Sequence, residues 1–165
     1  MAKRCDLLLI ARLLCLLALF EYAHCTDFFY VEGKVYCDTC RIAFETELSE
    51  YIPGSRVRLE CRDREGGHIT YSVSDETDST GTYQIKVEGE HEEEICEVVL
   101  VQSGRPDCKE VLAGRDRARI LLSSNNGIED KTRFANSLGF LKDKPIEGCP
   151  KVLAKMGLLP SAMMP

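Results

Sequence analysis

Phe29-Tyr30-Val31-Glu32-Gly33-Lys34-Val35-Tyr36-Cys37-Asp38-Thr39-Cys40-Arg41 alternates in side-chain character until it reaches two cysteines three positions apart. Val31, Gly33, Val35 and Cys37 fall on one face, and Glu32, Lys34 and Tyr36 on the other. A period of two marks a half-buried β-strand. The C-x-x-C at its end admits three readings. A redox pair belongs where a strand meets a helix N-terminus, and no glycine- or proline-rich helix start follows here. A four-ligand zinc site wants a second close pair, whereas Cys61, Cys96, Cys108 and Cys149 stand singly. The third reading is two structural disulfides leaving in different directions. If the strand runs on to Cys40, the two cysteines face opposite sides and lie about 10 Å apart. That exceeds the roughly 7 Å limit between Cα atoms of a disulfide, so each would take a partner elsewhere.

Outward from this stretch the chain reads as β. Val57, Leu59 and Cys61 alternate with Arg56, Arg58 and Glu60, and Tyr83, Ile85 and Val87 with Thr82, Gln84 and Lys86. Ile69, Tyr71 and Val73 form another such set, 94–101 reads as a nearly continuous apolar central strand, and 119–122 and 138–141 are shorter candidates. Turn chemistry separates the runs: Gly66-Gly67, Pro53-Gly54, Asn126-Gly127, and Asp78-Ser79-Thr80-Gly81, where the aspartate bonds backbone amides and the glycine accepts positive φ. Short strands at this spacing predict an all-β sandwich or barrel of antiparallel strands, with short helices allowed over 109–118 and 149–159. Cys61 closes the apolar face of Val57 and Leu59, and Cys96 shares parity with Val98 and Leu100. Two inward cysteines on neighbouring strands are thus placed to meet.

The N-terminus stands apart from this pattern. Lys3 and Arg4 precede a 14-residue apolar run, Leu7 to Phe20, which Arg12 interrupts, and Ala23 and Cys25 occupy the small-residue positions before a cleavage point. The run is short of the roughly 20 apolar residues of a membrane span and has the three parts of a secretory signal peptide. Residues 1–25 are therefore expected to be removed, leaving one domain, 26–165, that starts at Thr26. The leader carries three basic and two acidic side chains of the 21 and 27 in the chain, so 18 and 25 remain, a net charge of −7. An acidic chain without a basic tract is a poor partner for nucleic acid. Cys5, Cys15 and Cys25 leave with the leader. Six cysteines in a secreted chain read as three disulfides, and the mature protein is expected in the extracellular space with no membrane span.

The segment Glu32-Gly33-Lys34-Val35-Tyr36-Cys37-Asp38-Thr39-Cys40-Arg41 resembles the signature of the Ole e 1-like family of pollen allergen and extensin-like proteins. The resemblance continues through Phe44-Glu45-Thr46, Ile52-Pro53-Gly54, Val57 to Cys61, Glu93 to Leu100, Asp107-Cys108, Ser124 to Ile128, Leu138-Gly139-Phe140 and Cys149, and covers essentially the whole mature chain. It implies a β-barrel or sandwich of about seven strands, and the pairing Cys37–Cys108, Cys40–Cys149 and Cys61–Cys96. It implies secretion by pollen and anther tissue, a part in pollen hydration, germination and tube growth, and potential allergenicity. Two departures stand out. Ile128 takes the place of the hydroxyl residue that a glycosylation sequon at Asn126 needs, and Ser137 stands where the family often has proline.

Searching for chemistry yields little. His91 lies among Glu88, Glu90, Glu92, Glu93 and Glu94, but without calcium-loop spacing, and reads as a solvated connection between strands. Serines lack the nucleophile-elbow motif, and no P-loop or zinc-protease motif appears. Asp38 reads as a turn residue bonding local amides. Tyr36 and Arg41 read either as a recognition patch or as packing residues. The expectation is a non-enzymatic binding protein with no cofactor and no metal site. Its loops 62–68, 75–81 and 88–93 would present to an extracellular protein such as a receptor-kinase ectodomain. The alternative is a cell-wall polysaccharide module, disfavoured by the absence of Trp and the scarcity of outward Tyr.

Overall fold

A computed structural model describes residues 28–158; the expected leader, its cleavage point and Cys5, Cys15 and Cys25 lie outside the described residues. Ten strands and one helix occur among them: β1 (Phe28–Asp38), β2 (Glu50–Tyr51), β3 (Arg56–Asp63), β4 (Ile69–Glu76), β5 (Thr82–Glu88), β6 (Glu94–Gln102), β7 (Cys108–Val111), β8 (Arg117–Ile120), β9 (Thr132–Phe134), β10 (Leu138–Lys142) and α1 (Cys149–Lys155). They form two sheets. One runs β2-β1-β10-β7, with β5 and β9 also paired to β1; the other runs β4-β3-β6-β8.

The strands thus divide between two open sheets, and the barrel half of the expectation is not what the chain adopts. The strand count and direction also differ from expectation. β1 pairs antiparallel with β5 but parallel with β9 and β10. Strands β2, β7 and β9 are two to four residues long, too short for a period of two to register. Residues 109–118, allowed a helix by sequence, instead complete β7, turn, and enter β8. The helix allowed over 149–159 is present as α1.

The alternating faces meet in one core. Phe29, Val31 and Val35 of β1, Tyr83, Ile85 and Val87 of β5, and Leu138 and Phe140 of β10 pack with Val57 and Leu59 of β3, Val98 of β6 and Ala118 of β8. Two glycines make room for tyrosines. A Cβ on Gly33 would lie 2.3 Å from the Tyr83 hydroxyl oxygen, and one on Gly139 would lie 2.6 Å from Tyr36 Cζ. Tyr36 therefore lies across β10 and is buried, although its parity is outward. The Tyr83 hydroxyl is buried with no hydrogen-bond partner, and burial raises its pKa above the ordinary phenol value.

Glu60, outward by parity, is only 6% exposed because the guanidiniums of Arg58 and Arg62 clasp it, each at 2.6 Å. Burial alone would raise its carboxyl; hydrogen bonds from Arg62 and Arg58 outweigh burial and hold it below the usual carboxylate value.

Gly33→Ala should lower the unfolding free energy by about 1–3 kcal/mol, as overpacking does, read from denaturant midpoints. Tyr83→Phe should be neutral or stabilising, because it removes a buried hydroxyl that bonds nothing. Glu60 generates a pH prediction. Its folded pKa is depressed, so its contribution is present above the unfolded value, about 4.3, and is lost as pH falls through the folded one. The denaturant midpoint should drop below about pH 4.3, and Glu60→Gln should flatten that slope; an unchanged slope would show that the clasp contributes nothing.

Candidate functional site

The cysteine-rich end of β1 is built around one carboxylate. β1 ends at Asp38, so Cys40 lies in a turn rather than on a continuing strand. Asp38 Oδ1 accepts the amide of Cys40 at 3.0 Å, and Oδ2 accepts those of Ile42 at 2.8 Å and Ala43 at 2.7 Å. This holds Arg41 and Ala43 at φ values of 57° and 68°, left-handed backbone that residues with a Cβ adopt only when the surroundings enforce it. The reversal sends the two sulfurs apart. Cys37 joins Cys108 at the start of β7, Cys40 joins Cys149 at the start of α1, and Cys61 joins Cys96 across the β3–β6 ladder. The Arg41 guanidinium donates to the Lys142 carbonyl and pairs with Glu110. Gly33 and Val35 serve the core, Tyr36 covers Gly139, Asp38 holds the turn, and Cys37, Cys40 and Arg41 tie the end of β1 to Cys108, Glu110, Lys142 and Cys149. The signature is a structural closure, and Tyr36 and Arg41 are packing and bracing groups within it.

The recognition loops divide differently from expectation. Loops 62–68 and 88–93 come together, because Arg64 donates to the Glu92 carbonyl at 2.9 Å. Loop 75–81 precedes β5 and loop 88–93 follows it, which places them at opposite ends of that strand. A third segment, unanticipated by sequence, joins the first two. The His91 amide donates to the Leu122 carbonyl at 3.0 Å. The Ser124 hydroxyl and amide donate to the Glu90 carboxylate, and the Asn125 amide group reaches Glu92 at 3.4 Å. The hairpin turn is fixed by Asp63 Oδ1, which accepts the amides of Gly66 at 2.6 Å and Gly67 at 2.7 Å.

His91 departs from the solvated reading. It is buried, with Nδ1 2.5 Å from a Glu94 carboxylate oxygen and Nε2 3.3 Å from the Glu88 carbonyl oxygen. Its ring centroid is 4.8 Å from that of Tyr71. Burial would raise the Glu94 carboxyl, but hydrogen bonds from His91 and Thr70 leave it below its ordinary value. Glu88, Glu90, Glu92 and Glu93 remain exposed. The ligand atoms of Cys61, His91, Glu94 and Cys96 lie within 4.8 Å of one another. The two sulfurs are bonded together, however, and neither is the thiolate a metal takes. What remains is a histidine–carboxylate pair that pins a strongly acidic loop to the sheet edge.

Residues 27–157 match the family described as pollen protein Ole e 1 like. The chain is 50% identical over 163 residues to an Olee1-like protein of Betula pendula, covering 97% of each chain. It is 50% identical over 148 residues to the anther-specific protein LAT52 of Solanum lycopersicum, covering 89% of this chain and 92% of the other. The solved structure of the major plantain pollen allergen Pla l 1 superposes with a TM-score of 0.67 at 40% identity, spanning 74% of this chain and all of that one.

Asp38→Ala leaves three amides without their charged acceptor and should cost about 2–4 kcal/mol. The oxidised variant should also yield scrambled disulfides on refolding, read by peptide mapping. A variant that refolds to the same three pairs with an unchanged midpoint would show that the disulfides alone define the turn.

Proposed function

This chain belongs to the Ole e 1-like pollen protein family, and from that membership and the loop geometry we propose that it is a secreted pollen protein that acts by binding, not catalysis. Its role is that of an extracellular ligand in pollen hydration, germination and tube growth, engaging a protein such as a receptor-kinase ectodomain, and it is a potential allergen. One observation carries this reading. Loops 64–68 and 89–93 and segment 122–126 are bound together at one end of a disulfide-braced frame, and Glu90, Glu92 and Glu93 are exposed there. Recognition groups on loops of a rigid scaffold lose little freedom on binding. The cluster's charge suits a basic surface on the partner, and complementary charge acts chiefly on the rate of encounter. Secretion is supported by the pairing of all six cysteines among the described residues, a state that belongs to oxidising compartments. No helix among the described residues is long and apolar enough to cross a membrane.

A pull-down from pollen-tube membrane fractions, with and without protease pretreatment, tests the reading. The oxidised mature protein should capture a protease-sensitive partner. The triple variant Glu90→Gln, Glu92→Gln, Glu93→Gln should associate about tenfold more slowly at low salt and lose most of its salt dependence. Equal association by both proteins at every salt concentration would remove the loop cluster from the interface.

A further inference from the structure

The outer face of β1 and its neighbours carries aromatic side chains that the core does not use. Strand parity sends Phe28, Tyr30, Glu32 and Lys34 outward, opposite the buried Phe29, Val31 and Val35. β9 pairs in parallel with Tyr30↔Thr132 and Glu32↔Phe134 in register. Thr132 and Phe134 therefore share that face, while Arg133 turns inward and is buried. β2 pairs Tyr51 with Tyr36, and Lys34 Nζ lies 4.4 Å from the Tyr51 ring centroid. The result is a stripe of Phe28, Tyr30, Phe134 and Tyr51 that follows β1 for about 26 Å at 3.3 Å per residue. Phe134 is 73% exposed, Tyr51 42% and Phe28 37%. The rings of Phe28 and Tyr30 meet edge-on at 5.6 Å.

The groups between the rings are polar and charge-balanced. Gln84 donates to Glu32 at 3.3 Å, and Lys86 pairs with Glu88 at 3.0 Å while also facing the Phe28 ring. Thr82 and Thr132 add hydroxyls. Glu32, Glu88, Lys34 and Lys86 cancel in charge, on a mature chain whose net charge is −7. An anionic polymer would gain no attraction from this face and would be repelled by the rest of the molecule. The Phe134 ring stands exposed, while the Lys86 and Lys34 ammoniums lie over the Phe28 and Tyr51 rings; rings flanked in this way by amide, carboxylate and hydroxyl groups suit a ligand with alternating C–H faces and hydroxyl edges. We infer that this stripe is a binding platform for an extended, uncharged polysaccharide chain. The platform rests on the extracellular binding role proposed above; its Phe28 end adjoins the acidic loops through Glu88, but it calls on none of Glu90, Glu92 and Glu93, so the two readings can fail independently.

The experiment uses the oxidised mature protein in affinity electrophoresis through gels containing xyloglucan, β-1,4-galactan or polygalacturonate. At least one neutral glycan should retard the protein, and polygalacturonate should not. Phe134→Ala and Tyr30→Ala should each weaken retardation about threefold to tenfold, the scale of one ring contact. Phe134 is solvent-facing, so its variant should keep the wild-type melting profile. The Glu90, Glu92, Glu93 triple variant should bind the neutral glycan as wild type does, which separates failure of the loop reading from failure of this one. No retardation by either neutral glycan, retardation by polygalacturonate alone, or equal retardation of wild type and both aromatic variants would overturn the platform. Loss of captured protein partner by Phe134→Ala without any glycan effect would assign the stripe to a protein interface and overturn it equally.

Discussion

Three backbone amides within six residues converge on the Asp38 carboxylate, and the closure of the fold depends on that convergence. A turn that places Arg41 and Ala43 in left-handed backbone costs on the order of 1–3 kcal/mol per strained residue. Charge-assisted hydrogen bonds from a short side chain are strong enough to offset it. Because the strand stops at Asp38, Cys40 no longer points along it, and the two cysteines reach separate partners. The spans they close are 71 and 109 residues. Constraining spans of that length in the unfolded chain is where disulfides contribute most in the chain-entropy account.

From this closure the rest of the larger sheet follows. β1 holds β5 and β2 on one side and β9 and β10 on the other. The parallel pairings exist because the chain returns from the second sheet through β8 and the long loop after it. The Cys37–Cys108 bond fixes β7 beside β10, and a four-residue edge strand with three exposed residues has little else to hold it. The smaller sheet needs less. Its central ladder is long, Cys61 and Cys96 are directly paired in register, and their bond clips strands that hydrogen bonding already aligns.

What the sequence discloses tracks the length over which a pattern repeats. Val57, Leu59 and Cys61 repeat three times beside charged neighbours, and their strand and its buried face are legible. So is the Asp78 turn, where the aspartate accepts the amides of Thr80 and Thr82. β2, β7 and β9 are two to four residues long, too short for alternation to stand out, and pairing with β1 or β10 alone makes them strands. The 109–118 segment reads as a helix candidate because it has helix-compatible residues and no alternation. Cys108 decides otherwise by tying its start to β1. His91 shows the same limit at a site. Its acidic neighbours in sequence promise a solvated loop; one of them, Glu94, instead bonds its ring, and Tyr71 and the Leu122 carbonyl reach it from two other places in the chain.

The outer face of β1 was hidden for a related reason. Alternation labels Phe28 and Tyr30 only as members of a strand, and Phe134 sits in three residues whose strand character comes from β1 itself. A single exposed phenylalanine is ordinary on a protein surface; what sets this face apart is that three strands bring Phe28, Tyr30, Phe134 and Tyr51 to the same side of the sheet. The stripe meets the acidic loops at its Phe28 end, where Phe28 pairs with Glu88 at the close of β5, and runs from there along the sheet face to Tyr51. A chain held to a wall polymer along its sheet would keep its charged loops free to meet a membrane-bound protein. Such tethering raises the local concentration of the ligand at its receptor without any new contact between them. Under the two proposals, immobilisation and recognition use different parts of one frame, and both parts depend on β1 being locked at its end by Asp38 and the two disulfides.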